Sequence, residues 1–166
     1  MKKLSKRNTQ IMVVFATTLG SIYIIIGAAE FIAGVSELFW PNAAKGLLGL
    51  PADLFGGFSA VVIGVTYIGS ILLWKGRWEF LGFLLVATLL SIVFGALYLF
   101  IVCADGFGVL LGIWEGEEWT WEWLTAGTVG LGILRPEIWL GLLSLPLAYF
   151  ADKTARKRSV YENSNS

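Results

Sequence analysis

Glu30 is the one charged side chain in an apolar run covering residues 11–35. An ionisable group at membrane depth is costly unless paired, so such a residue marks a functional candidate by default. At the helical rise it lies about 30 Å beyond Gln10, near the far interface. The bases on that side are Lys45 and Arg135. Arg135 is the better partner, because it directly precedes the last apolar segment and a guanidinium grips a carboxylate through two parallel hydrogen bonds. A solvated Glu30 at the interface fits the sequence equally well. Tyr23, Tyr67, Tyr98 and Tyr149 place one phenol in each apolar segment. Tyr23 is nearest mid-depth and is the expected interior phenol, since a buried hydroxyl needs a hydrogen-bond partner; the other three suit anchoring at the interfaces.

The second stretch that could carry chemistry is residues 114–123, where four carboxylates and four tryptophans fall within ten positions. Read as a helix, Glu115, Glu118 and Glu122 share one face, Trp114 and Trp121 a neighbouring face, and Trp119 and Trp123 another. That predicts an interfacial helix with its rings among headgroups and its acids in water. The same surface could instead dock a basic or aromatic partner. A cation site is a weaker fit, because the spacing of the acids matches no calcium loop.

Other chemistries are closed by composition. The chain has no histidine and a single cysteine, Cys103. Histidine-held haem, structural zinc, iron–sulfur clusters, histidine-based general catalysis and an internal thiol relay all lack their ligands. There is no glycine-rich phosphate loop and no Gly-x-Ser-x-Gly elbow. The expectation is a non-enzyme with no cofactor, no metal and no nucleic-acid partner; its surroundings are the lipid bilayer and a membrane-protein partner or a second copy.

The elements that must position these residues are membrane spans. Of 166 residues, 57% are hydrophobic and 14% charged, against roughly 25% charged in soluble domains. Residues 75–79 form a charged turn between two apolar runs, with Trp74 and Trp78 at its mouths and Gly76 to permit the bend. That is a transmembrane hairpin. The sequence predicts one membrane domain over residues 1–155, with spans at about 11–34, 53–74, 80–103 and 137–153, then a basic and finally disordered tail over 156–166. The first run also resembles a signal peptide with Gly27-Ala28-Ala29 as its cleavage site. It exceeds the roughly 7–15 apolar residues of such leaders, however, so an uncleaved span is expected. Pro51-Ala52-Asp53 and Pro136-Glu137 both read as helix starts, proline in the first turn and acid at the positive dipole end. The fourth span is short for a bilayer, must borrow length at both ends, and should kink at Pro146. Asp105 reads as the end of the third span.

Charge placement orients the spans. The amino terminus, the central turn and the tail hold ten of the twelve bases and three of the twelve acids. The outer segments and their flanks hold nine acids but only Lys45 and Arg135 as bases. Positive-inside bias then puts both termini in the cytoplasm of a cell-membrane protein. The fold class is an all-α, four-transmembrane-helix bundle with an interfacial helix between spans 3 and 4. Its halves share a plan, each running span, outer segment, proline–acid start and span back. A parallel repeat and a convergence of grammar are equally open. Small residues recur along the spans: Gly20, Gly27 and Gly34; Gly56, Ala60 and Gly64; Ala87, Ser91 and Gly95; Ser144 and Ala148. Such stripes let helices pack closely in lipid, inside the bundle or against a partner.

Residues 23–31, Tyr-Ile-Ile-Ile-Gly-Ala-Ala-Glu-Phe, followed by Leu48-Gly49-Leu50-Pro51 and a glycine-rich second span, resemble the DoxX-like family of small four-helix membrane proteins. The resemblance covers about the first 100 residues. Glu30 stands where that family's pattern has a lysine, and the acidic, Trp-rich outer segment is not part of it. The resemblance implies a membrane partner in redox or quinone-linked complexes and brings no catalytic residue with it.

Two functions follow from different classes. The first is a non-catalytic membrane subunit or scaffold that docks partners through its small-residue stripes or its Trp/Glu segment. The second is a small transporter or channel component with a polar path through Tyr23, Thr66, Ser91 and Glu30. Polar span residues converging on one interior line would favour the second; polar residues scattered toward lipid would favour the first.

Overall fold

A computed structural model describes residues 6–39, 52–128 and 130–163. Four long helices form the body: α1 (Lys6–Phe39), α2 (Leu54–Gly69), α3 (Leu81–Trp114) and α5 (Pro136–Asn163), with a four-residue α4 (Trp123–Ala126) between the last two. The chain thus packs as an all-helical membrane domain. The segments Thr9–Phe39, Leu54–Lys75 and Leu81–Trp114 are each long and apolar enough to cross a membrane. Helix α5 completes the bundle, but its apolar stretch is short and it continues as helix to Asn163, past Pro146 without interruption. Their outer surfaces are studded with exposed large apolar side chains such as Ile25, Phe55, Leu89, Phe100 and Leu143, a face suited to acyl chains.

Close approach of backbones explains how the helices pair. An added Cβ on Gly27 would sit 2.7 Å from the Gly57 carbonyl oxygen, and one on Gly20 would sit 2.8 Å from that of Gly64. The heptad of glycines on α1 therefore seats α2 against it in antiparallel fashion, the small-residue packing that lipid favours. On α2 the partner is Gly57 together with Ala60 and Gly64; the expected Gly56 turns the other way, toward Tyr98. Helices α3 and α5 repeat the device, with a Cβ on Gly95 lying 3.3 Å from the Gly141 Cα. Around the bundle the order is α1, α2, α3, α5, so α1 faces α3 across the middle and α2 faces α5.

The buried positions of the two halves coincide in register. Along α1 and α3 the pairs are Val13 and Leu81, Ala16 and Leu84, Tyr23 and Ser91, Gly27 and Gly95, and Glu30 and Tyr98, all buried. Along α2 and α5 they are Gly57 and Gly141, Ala60 and Ser144, Ile63 and Leu147, and Tyr67 and Ala151. Tyr23 and Ser91, 68 positions apart, meet across the bundle through a 2.6 Å hydrogen bond. Matched burial and this contact set corresponding positions of the two halves against one another along the bundle interior.

Several expectations shift. Helix α3 runs to Trp114, well beyond residue 103, so Asp105 lies inside it rather than at its end. There it accepts from the Thr128 amide at 2.8 Å and from the Thr128 hydroxyl at 2.5 Å, folding the outer segment back onto the helix. The interfacial helix over 114–123 does not form. Gly116 takes the left-handed conformation at φ 95°, which ends α3 and satisfies its last carbonyls, as such glycines do. The central turn is as expected, with Gly76 at φ 78° and Arg77 paired to Glu79 at 3.3 Å. Tyr67 and Tyr98 are buried rather than anchoring interfaces, while Tyr149 is exposed. The Gly-Leu-Pro before the second span and Lys45 lie outside the described residues.

Candidate functional site

Both proline–acid helix starts arrive at one end of the bundle. Asp53 caps α2, its Oδ1 accepting from the Gly56 amide at 2.7 Å, which satisfies an amide the first turn would leave bare. Arg135 is extended, as a residue before proline must be, and Pro136 then opens α5 with Glu137 in its first turn. Gly56 carries no side chain because a Cβ there would collide with the Tyr98 hydroxyl and the Asp53 carboxylate. These constraints gather Asp53, Tyr98, Arg135 and Glu137 around the axis, and the carboxyl of Glu30 on α1 comes in beside Glu137.

Arg135 is 1% exposed and is the largest fully buried side chain. One of its terminal nitrogens donates to Asp53 Oδ2 at 2.6 Å, its Nε lies 3.6 Å from Glu137 Oε2, and its guanidinium stacks over the Tyr98 ring at 3.9 Å. Tyr98 donates its hydroxyl to the same Asp53 oxygen at 2.8 Å. Burial works against the charge on Asp53, but the Gly56 amide, Arg135 and Tyr98 outweigh it and hold the carboxyl below its usual range. Glu30 is 0% exposed, and among the described residues its two oxygens, like both of Glu137, have no hydrogen-bond donor. The ion pairs of Arg135 thus go to Asp53 and Glu137, with Glu30 as the third carboxyl of the cluster. Three ionised carboxyls around one guanidinium would leave the site with excess negative charge, which a low-dielectric interior sustains poorly.

Below this cluster a second polar group follows the axis. The Tyr23 and Tyr67 rings stack at 6.2 Å, and Tyr67 donates to Thr88 Oγ1 at 3.3 Å, close to Ser91 and Ser144. Tyr23, Tyr67, Thr88, Ser91 and Ser144 are all buried. Thr66 does not join them; its hydroxyl turns back to the Val62 carbonyl at 2.7 Å.

The tryptophan segment is a separate feature. Trp119 meets Trp121 at 5.1 Å and Trp123 at 6.4 Å, both edge to face, and the Trp123 ring covers Gly106 of α3. Trp114 is 90% exposed, and Glu115, Glu118 and Glu122 face outward. Asp105, Glu117 and Trp123 help line an open cleft of about 430 Å³ beside them. The helical faces expected for these residues are absent, and only the Trp119–Trp123 neighbourhood is common to both arrangements.

Of the cluster, sequence reasoning singled out Glu30 and Arg135 but read Asp53 and Glu137 as helix starts and Tyr98 as an anchor. The available signal was the pairing of two proline–acid starts on the same side of the membrane, which must lie at one depth.

Residues 6–154 match the family described as MJ0565 integral membrane domain. The chain belongs to that family. Its resemblance to the DoxX-like family is thereby corrected: aliphatic-glycine motifs are the common currency of packed membrane helices, and the residue that departs from the DoxX pattern, Glu30, is the one buried in this cluster. No curated protein and no solved structure matches the chain.

Proposed function

We propose that this chain is a four-span protein of the cell membrane, both termini cytoplasmic, that takes up a small cationic species at the Glu30–Asp53–Arg135–Glu137 cluster and passes it along the bundle interior as a transporter or channel component. The observation that carries the reading is Glu30: a carboxyl fully buried among helices, with no donor to either oxygen among the described residues. Structural economy does not explain it, since a buried polar group left without a partner costs about 1–3 kcal/mol, and more when charged, and an apolar residue would pack there without that penalty. The convergence of Tyr23, Ser91 and Glu30 on one axis supports transport over scaffolding. Binding at a repeat interface is also where secondary transporters place their ions. Glu30→Gln is the test. Wild-type protein in proteoliposomes should dissipate an imposed ion gradient and the variant should not; equal flux in the two, or none in the wild type, would sink the transport reading.

The exposed Trp114 and the open cleft beside Glu117 favour a second reading for the outer segment, docking of a partner protein. A membrane subunit that co-purifies stoichiometrically in mild detergent, and is lost on replacing Trp114 and Trp121 by alanine, would support it.

A further inference from the structure

We propose that the species held at this cluster is a proton, shared between the carboxyls of Glu30 and Glu137. The identity of the transported species rests on the transport reading above; the shared proton itself does not.

Asp53 is saturated. One oxygen accepts from the Gly56 amide and the other from Arg135 and Tyr98, so Asp53 and Arg135 neutralise each other. That leaves Glu30 and Glu137, whose four carboxyl oxygens are all buried without a hydrogen-bond partner among the described residues and which act on each other across the cluster. Two bare carboxylates in contact repel strongly at low dielectric, and such pairs resolve the conflict by keeping one proton between them. A proton on either carboxyl supplies the O–H donor that the other lacks. The one charge that remains faces Arg135 Nε across 3.6 Å. The groups facing the pair from each packed element are Tyr23 from α1, Asp53 from α2, Tyr98 from α3, and Arg135 from the start of α5.

The same geometry disfavours a metal ion. A guanidinium already sits among the carboxylates and would repel a second cation. Among the described residues, no three ligand-type side chains are gathered closely enough to hold a metal, whereas hard cations need about six oxygens. The next polar groups along the axis are hydroxyls, Tyr23 with Ser91 and Tyr67 with Thr88. Each both donates and accepts, which suits handing on a proton and does not suit stripping water from a metal ion. Uptake is simple in its balance: a proton from water binds the pair, and no other bond changes.

Infrared spectroscopy of the purified protein, titrated with acid and base, reads the pair directly. The wild type should show the carbonyl stretch of a protonated, water-excluded carboxyl that persists at neutral pH. Glu30→Gln and Glu137→Gln should each abolish that band, and Glu115→Gln, at an exposed position outside the cluster, should keep it. A band that survives both glutamine substitutions, or no band in the wild type, overturns the proposal. If Glu137→Gln does not fold, Glu30→Gln decides alone, since its amide needs no charge partner. In a second arm, sodium, potassium and calcium at fixed pH should leave the thermal midpoint unchanged; a stabilisation by one of them that Glu30→Gln removes would overturn the proton in favour of that cation. The outcomes separate the two readings. An intact band without flux keeps the shared proton and sinks transport, while Glu30-dependent flux driven only by a sodium gradient keeps transport and overturns the proton.

Discussion

Arg135 decides most of what the cluster costs and gains. Its guanidinium touches a carboxylate at 2.6 Å, a second at 3.6 Å and a tyrosine ring at 3.9 Å, and is itself buried away from water. Removing one member of a buried ion pair strands the others, typically at about 3–5 kcal/mol. Arg135→Met should therefore lower the thermal midpoint in detergent far more than Asp53→Asn, because the Asp53 side chain is still 27% exposed and water can take over part of its role. Asp53 adds a pH signature. Its folded carboxyl titrates below the unfolded value of about 3.9, so its stabilising effect is fully present above that value and is lost as pH falls through the folded one. The stability gap between wild type and Asp53→Asn should hold steady from neutrality to about pH 5, then close on acidification. A gap that widens in acid would show that Asp53 is not a charged partner. At this scale the sequence was only half legible. A lone glutamate in an apolar run announces itself, but Asp53 and Glu137 each have an ordinary local explanation as helix-start acids. Only the three-dimensional convergence of two such starts gives them a common role.

At the scale of elements, glycine placement does the work that hydrophobic burial does in water. Lipid is as apolar as leucine, so helices pair where backbones can touch. The heptad Gly20, Gly27 and Gly34 was readable because its spacing keeps one face of a helix. The choice between Gly56 and Gly57 was not, since adjacent residues differ by about 100° around the axis and either could have faced α1. The prediction follows from the space available. Gly27→Ala would press a methyl group against the Gly57 carbonyl and Ala60, and overpacking of this kind costs about 1–3 kcal/mol. Gly108→Ala meets nothing within 4 Å and gains up to about 1 kcal/mol of helix propensity. Thermal unfolding in detergent should place the two variants on opposite sides of the wild type. The outer segment failed as a helix prediction for a related reason: its Trp and Glu periodicity is helical, but Gly116 lets the chain reverse and the rings satisfy one another edge to face instead.

The whole molecule couples these scales through the shared plan of its two halves. Two helical hairpins of the same plan, each with an acid at or in the first turn of its second helix, bring corresponding residues together along the bundle axis, which is why Tyr23 meets Ser91 and why Asp53 and Glu137 share a site. The shared plan was visible in the chain, but not the axis, because the halves have little residue identity and the equivalence is one of burial. That arrangement has a consequence for topology. If both hairpins enter from the cytoplasm, as proposed above from the ten bases of the termini and the central turn, then the Gly76 turn and the Gly116 turn lie on opposite sides of the membrane, with the acid cluster at the outer end of the bundle. A Cys103→Ser background leaves no other thiol in the chain. On it, Gly116→Cys should react in intact cells with a membrane-impermeant maleimide, whereas Gly76→Cys should react only after the membrane is permeabilised. Both glycines have positive φ with nothing within 4 Å of an added Cβ, so a cysteine meets backbone strain at each turn but no steric clash, and the bundle tolerates it. Labelling of both in intact cells would mean that the third helix does not cross; labelling of Gly76→Cys alone would invert the protein and place the carboxyl cluster, with any proton it takes up, at the cytoplasmic face.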